Sequence, residues 1–343
     1  MSADMGTPVT LKNHIIHKLW GIDYDKNSEF VDDLRYPKCV YHYTSRDAAV
    51  AITDTLIASA NGKSANPDLC GFAFSNYLFL NDNREYELGI KFANDWVPKL
   101  KNVPRELTTE ILKQVEEKKE LFAPYVLSLC QKQDSTSQWQ IYTPRKDGGY
   151  AIGLNVSQIE DAVDRFNEHA RDDCEQRYFA HGSAVMFMPC IYCSPSACDK
   201  TLARCKNDES TEENLLEALG LFFDGITDHV WDDKGKVDYS NCAQWCAMRI
   251  CQFASFLKSD DFRHEEEWRL VLHPKFVQNK DVRIIAGKPM ITPLSLNLGN
   301  CIEQVVVSPH GDRERLMLLA KFQTERAGIN IIPKESDSPY NGR

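Results

Sequence analysis

The chain has 343 residues, 43% hydrophobic and 26% charged, with a formal net charge of −10. Such a chain buries a large core without staples and forms one large domain or two, and its acidic balance disfavours a protein whose whole surface coats nucleic acid, though not a local basic groove. No run approaches a membrane span and Met1–Leu19 lacks a signal-peptide core, so a cytoplasmic protein is expected, its 12 cysteines reduced and mostly acting as small hydrophobes.

Residues 1–36 are polar and mixed and read as an N-terminal extension, with Leu11–Trp20 suited to a short amphipathic helix. The first strand is Cys39-Val40-Tyr41-His42-Tyr43; Thr44 or Ser45 then caps a helix that ends before Leu56-Ile57. A Gly/Ser/Asn/Pro loop follows over Asn61–Leu69, then a strand over Phe72–Leu80, a turn at Asn81-Asp82-Asn83, and helices from Glu85 to about Leu100 and from about Pro104 to Leu121. Tyr125–Cys130 reads as a strand, Gln138–Tyr142 as a short helical turn, Lys146–Gly149 as a hairpin-type turn, Tyr150–Leu154 as a strand and Val156–His169 as a helix. Ala184–Tyr192 is expected as a strand, and residues 209–257 as a helical insertion with a turn at Asp232–Gly235. Strands over Glu265–Leu272, Val282–Ile285 and Ile302–Val307, a helix over Arg313–Arg326, a closing strand over Ile329–Ile332 and a loose tail from Lys334 complete the pattern. Helices interspersed with strands, without strict alternation, favour an α+β fold. No repeat and no Pro- or Gly-rich linker divides the chain, so residues 37–333 read as one α+β domain.

The stretch Phe262-Arg263-His264-Glu265-Glu266-Glu267-Trp268-Arg269-Leu270-Val271-Leu272 is the most informative. Alternation along a strand puts Glu265, Glu267 and Arg269 on one face, and Glu266, Trp268, Leu270 and Leu272 on a core-like face. Charges on a buried strand face are costly unless they line a cleft; the bland alternative is a solvated edge strand. His42 shares its face with Thr44, opposite Tyr41 and Tyr43, and is either a core histidine bonded to a carbonyl or one wall of a cleft. A cleft of this kind suits a dinucleotide. His42 would donate to a ribose hydroxyl, Glu267 would stabilise an oxocarbenium-like transition state, and Glu265 would orient or deprotonate the attacking group.

Cys190-x2-Cys193-x4-Cys198-x6-Cys205 has only one close pair and reads as buried thiols ahead of a zinc site. Cys242, Cys246 and Cys251 have helical spacing and belong to a core. No phosphate-binding glycine loop, GxSxG elbow or HExxH motif is present.

Taken in order, Val40–Ser45, Phe79-Leu80-Asn81-Asp82-x2-Glu85, Trp139-x2-Tyr142-x5-Gly148 and Lys258-x3-Phe262-x2-Glu265-x-Glu267-Trp268-Arg269 resemble the bacterial family known as domain of unknown function 2971, from about Lys38 to His310. More widely, the chain resembles ADP-ribosyltransferases of the His-Tyr-Glu type. That resemblance implies a split, antiparallel-rich sheet and NAD as substrate. A first-strand His would hold the NAD ribose, an aromatic would stack on nicotinamide, and a late-strand Glu would be catalytic. His42 matches the His and Glu267 the Glu, while Tyr77, Tyr142 and Tyr150 all stand open for the aromatic. Tyr43, Thr44 and Arg269 are further candidates for the NAD side, and Trp139 for substrate. Asn81, Asp82 and Glu85 match nothing in the transferase pattern; they cap the next helix or bind substrate. The resemblance further implies a macromolecular acceptor, protein or nucleic acid, with Arg84, Lys91, Arg145 and Lys146 available for a basic groove. By analogy it also implies a self-toxic enzyme of antiphage defence with an antitoxin or defence partner. Two rivals stay open: a magnesium nuclease using Asp82, Glu85, Glu265 and Glu267, and a non-catalytic binding module lined by Trp139, Trp268 and the tyrosines.

Overall fold

The computed structural model describes residues 37–60, 71–80, 84–99, 103–172, 184–193, 239–277 and 281–340. Asn81, Asp82, the extension over 1–36, most of the expected insertion, and Cys198 and Cys205 lie outside the described residues.

In chain order the elements are β1 (Cys39–Ser45), α1 (Arg46–Ala60), β2 (Phe74–Asn76), α2 (Arg84–Trp96), α3 (Arg105–Lys118), β3 (Tyr125–Cys130), α4 (Thr136–Tyr142), β4 (Gly149–Asn155), α5 (Val156–Asp172), β5 (Val185–Pro189) and β6 (Ile191–Cys193). They continue with α6 (Tyr239–Ala254), β7 (Leu257–Ser259), β8 (Glu267–Leu272), β9 (Arg283–Ile285), β10 (Lys288–Ile291), β11 (Ile302–Val307), α7 (Arg313–Arg326) and β12 (Lys334–Glu335). The result is a mixed α/β architecture around a mostly antiparallel open sheet, ordered β12-β11-β4-β1-β3-β2-β10-β9, with β8 between β3 and β5.

The sheet parts at one place. β8 pairs with β3 along its full length, Tyr125 with Leu272 through Cys130 with Glu267. The other edge of β3 is shared: β2 pairs with Tyr125 and Val126, and β1 reaches it only at Cys130, opposite Tyr41. Leu127–Leu129 therefore have no strand partner on that edge among the described residues.

Helices cover both faces. On one, α2, α3 and α6 pack with Val126 of β3, Val271 of β8 and Met186 and Met188 of β5. On the other, α1, α5 and α7 pack with Leu127, Leu129, Ile152, Leu154, Trp268, Leu270 and Leu272. Every residue of β8 is consequently buried, as alternation with apolar layers on both faces requires. A smaller cluster joins Tyr41, Tyr43, Cys130, Trp139 and Val306, with Tyr340 against it.

Several expectations change. The first helix runs on to Ala60 with Ser45 accepting from the Ala48 amide. Phe72–Leu80 is a short strand followed by a 3-10 turn, because the Asn76 side chain accepts from the Leu78 amide and the Tyr77 amide donates to Pro124. Ala184–Tyr192 breaks at Cys190, whose amide donates to the Glu267 carbonyl. The turn before β4 joins a helix to a strand and is not a hairpin, since β4 pairs with β1 and β11.

The segment from Lys334 is placed rather than loose, and it replaces the expected strand at Ile329–Ile332: β12 pairs in parallel with β11. The Asp134 carboxylate fixes it, accepting from Ser336 Oγ at 2.6 Å, the Asp337 amide at 2.6 Å, the Ser338 amide at 2.9 Å and Trp139 Nε1 at 2.5 Å. One carboxylate thereby ties the C-terminal strap to the start of α4. Asp134→Ala is expected to cost about 2–3 kcal/mol, a discounted value for several charge-assisted bonds at a half-buried site. A urea midpoint unchanged from the native chain would refute this anchoring.

Candidate functional site

The parting of the sheet opens into a cleft of about 830 Å³, within the usual range for small-molecule sites. His42 and Thr44 of β1, the middle of β3, Gln138 and Tyr142 of α4, and Glu85, Lys258, Phe262, Glu265, Glu267 and Arg269 all line it.

Local chain geometry assembles the charged wall. β7 presents Lys258, a 3-10 turn over Asp260–Glu265 reverses direction with Ser259 accepting from the Asp261 amide, and Glu266 takes a left-handed conformation at φ 45°. Glu265 is therefore in the turn and not in β8, yet it still faces the same way as Glu267. Glu266 is not on the core face either: it is half-buried and pairs with Lys132 at 2.7 Å. Glu85 arrives from the first turn of α2, which Gly89 allows to press against α6, since a Cβ there would collide with the Ala254 carbonyl.

Lys258 Nζ lies 2.6 Å from Glu267, 2.7 Å from Glu265 and 3.3 Å from Glu85. Arg269 grips Glu267 twice, Nε to Oε1 at 2.7 Å and Nη2 to Oε2 at 2.9 Å. Arg269 also donates to Glu85 at 2.6 Å, to the Tyr77 hydroxyl at 2.8 Å and to the Ser255 carbonyl at 2.5 Å. Three carboxylates against two cations leave the wall at a formal −1. Burial works against the charge on Glu267, but Arg269 and Lys258 overcome it and hold the carboxyl at about 2. Burial likewise opposes the charge on Lys258, and the carboxylates, Glu267 foremost, keep its ammonium above the ordinary lysine range. Glu267 is thus a fixed anion at neutral pH.

His42 Nδ1 is 3.4 Å from the Ser128 carbonyl on the unpaired edge of β3. A carbonyl only accepts, so Nδ1 carries the proton. Burial lowers the pKa of the ring, with the Ser128 bond acting the other way, and the neutral tautomer presents an Nε2 lone pair. Nε2 is therefore an acceptor, the reverse of the donor role expected from sequence.

The other expected site residues divide. Thr44, Glu85 and Tyr142 line the cleft. Of the three aromatic candidates only Tyr142 does so; burial, then the Glu267 and Glu265 charges, push its phenol up. Tyr77 lies behind Arg269, whose guanidinium is 5.5 Å from its ring centre, and Tyr150 is buried with its hydroxyl on the Leu316 carbonyl. Tyr43 borders the cleft, but its hydroxyl donates to the Lys132 carbonyl and accepts from the Ser135 amide, so it pins a loop. Trp139 is fully buried against Tyr43 at 4.7 Å and is a core residue with no face for substrate. Every donor of Arg269 is engaged within the protein, so it positions carboxylates and holds no phosphate. Of the expected basic groove, only Arg84 lines the cleft. Lys258, Gln138 and Phe262 were not expected as site residues; Lys258 and Phe262 stand in the late motif, so the signal for them was the motif itself.

Residues 138–270 match the model of a family described as a protein of unknown function, DUF2971. The match is narrower than the resemblance from Lys38 to His310; it takes in α4 from Gln138 onward and the Lys258–Arg269 segment, but not Glu85. No curated protein and no solved structure matches the chain. Among the described residues no group of three or more His, Cys, Asp or Glu is arranged to hold a metal. The DUF2971 stretch includes Cys190, which is buried, with its thiol pushed well up by that burial. Of the carboxylates expected for magnesium, Glu85, Glu265 and Glu267 are ion-paired with Lys258, and Glu85 and Glu267 also with Arg269. No helix among the described residues is long and apolar enough to cross a membrane.

Proposed function

We propose that the cleft cleaves the nicotinamide–ribose bond of NAD and passes ADP-ribose to a macromolecular acceptor, protein or nucleic acid. The observation that supports this reading best is the meeting of His42 on β1 and Glu267 on β8 around one notch in the sheet, with Tyr142 lining the same notch. A volume of about 830 Å³ suits a folded dinucleotide. Thr44 is nine-tenths buried, and its hydroxyl has no hydrogen-bond partner among the described residues, which suits a ligand that brings polar groups.

Each residue then has a role that its surroundings permit. Glu267 Oε1 accepts one bond, from Arg269 Nε, and keeps a lone pair for a ribose hydroxyl. Its fixed charge stabilises the positive charge that develops on the ribose as the C–N bond lengthens. The bonding pair leaves with nicotinamide, which departs as a neutral base. The acceptor nucleophile bonds to the same ribose carbon and gives up its proton. Glu265 is held only through Oε2 among the described residues, so Oε1 is available for that proton. His42 Nε2 accepts from the second ribose hydroxyl.

Incubating the chain with a cell lysate and NAD labelled in its adenylate half is expected to place label on protein or nucleic acid and to release nicotinamide. A folded chain that yields neither would overturn the reading and favour a binding module.

A further inference from the structure

We propose that Gln138 selects the group this cleft releases, its carboxamide pairing with the carboxamide of a nicotinamide ring laid on Tyr142. The inference rests on the NAD reading above and adds which ring the cleft accepts and how.

Gln138 is only 5% exposed and lines the cleft, yet no described residue hydrogen-bonds its side chain. A carboxamide carries two donor hydrogens and an acceptor oxygen. With no protein group bonded to them, they stay open to whatever the cleft holds. A ligand that brings a matching donor and acceptor can take them up directly.

Helix geometry says what stands next to it. Gln138, Ile141 and Tyr142 are spaced i, i+3 and i+4 on α4, share one face, and all line the cleft. Trp139 turns the other way into the core and is tied to Asp134, which fixes the rotation of the helix. Tyr142 lines the same cleft as Glu265 and Glu267, and burial first, then those two charges, raise its phenol. A ring resting on Tyr142 is thus beside the carboxylate that faces the breaking bond, which makes it the leaving group and not the base at the far end of a dinucleotide. One helical turn separates Tyr142 from Gln138, about 5–6 Å between Cβ atoms, the reach of a ring substituent.

Charge selects the same ring. The wall carries a formal −1 and favours a cationic pyridinium over the face of a tyrosine. A carboxylate in place of the ring carboxamide would meet Glu265, Glu267 and the Gln138 carbonyl with no proton to offer.

The test uses the full chain and measures binding of free nicotinamide, nicotinic acid and AMP by calorimetry, alongside NAD cleavage, for the native protein and Gln138→Leu. The native chain is expected to bind nicotinamide at least tenfold more tightly than nicotinic acid. Gln138→Leu should bind nicotinamide about 10–100-fold more weakly, the loss of one paired carboxamide, with a raised KM for NAD and an undiminished Tm. Should Gln138→Leu fail to fold, Gln138→Glu keeps the shape, removes the donor, and should weaken nicotinamide in the same way. A native chain that cleaves NAD while both variants bind nicotinamide normally would overturn the role of Gln138 and leave the NAD reading standing. Loss of AMP binding with nicotinamide binding intact would also overturn it, since the side chain would then read adenine. A native chain that neither binds nicotinamide nor cleaves NAD would end both.

Discussion

Lys258→Met is expected to destabilise the protein by about 3–5 kcal/mol, the range for removing one partner of a buried ion cluster. Lys258 is the only group within 4 Å pairing distance of all three carboxylates, Glu85, Glu265 and Glu267, among the described residues. Without it, Arg269 alone faces three buried anions, and the formal charge of the wall moves from −1 to −2. The loss has a distinctive pH dependence. In the native chain the Glu267 carboxyl is held at about 2, below its unfolded value. Its contribution to stability is therefore complete above the ordinary carboxylate range and is lost only as pH falls toward 2. In Lys258→Met the crowded carboxylates take up a proton more readily folded than unfolded, so stability should rise as pH falls from neutrality toward the carboxylate range. Urea midpoints at pH 5 and pH 8 decide the matter. A deficit equal at both values would mean that Lys258 contributes packing and not charge.

Glu267→Gln is expected to lower kcat for NAD cleavage by about 100–1,000-fold, the scale of deleting one preorganised electrostatic group, with little change in KM. The same count of charges explains why this variant should fold better than Lys258→Met. Removing one carboxylate leaves Glu85 and Glu265 against Lys258 and Arg269, a neutral wall. Glu267→Gln that melts near the native temperature yet cleaves NAD at the native rate would refute the assigned role.

The fold was legible where one period ran without competition. Arg313–Arg326 is helical over the expected bounds, with Asp312 accepting from the Arg315 amide as its cap. Tyr125–Cys130 and Ile302–Val307 likewise match. Lys258 escaped notice because its position depends on a 3-10 turn and a left-handed Glu266, which no periodicity announces. β10 was missed because Lys288–Ile291 is short and carries a proline. Among aromatic residues, composition identifies candidates but not faces: Trp139 and Tyr142 share one helix, and the helix rotation alone puts one in the core and the other in the cleft. His42 and Glu267 were legible as residue types on strands, whereas the direction of the His42 hydrogen bond needed the Ser128 carbonyl.

The notch in the sheet also has a mechanical side. Among the described residues, the half built on β1, β4 and β11 meets the half built on β3, β8 and β5 through one ladder pair, Tyr41 with Cys130. Their mutual grip is otherwise made by side chains, as Val40, Ile152 and Leu154 pack with Leu127, Leu129 and Leu270. Side-chain packing yields to shear more readily than a backbone ladder, so the seam is expected to be a more compliant joint than the ladders within either half. Any molecule bridging His42 and Glu267 would act as a rivet across that joint, stiffening both halves into one body.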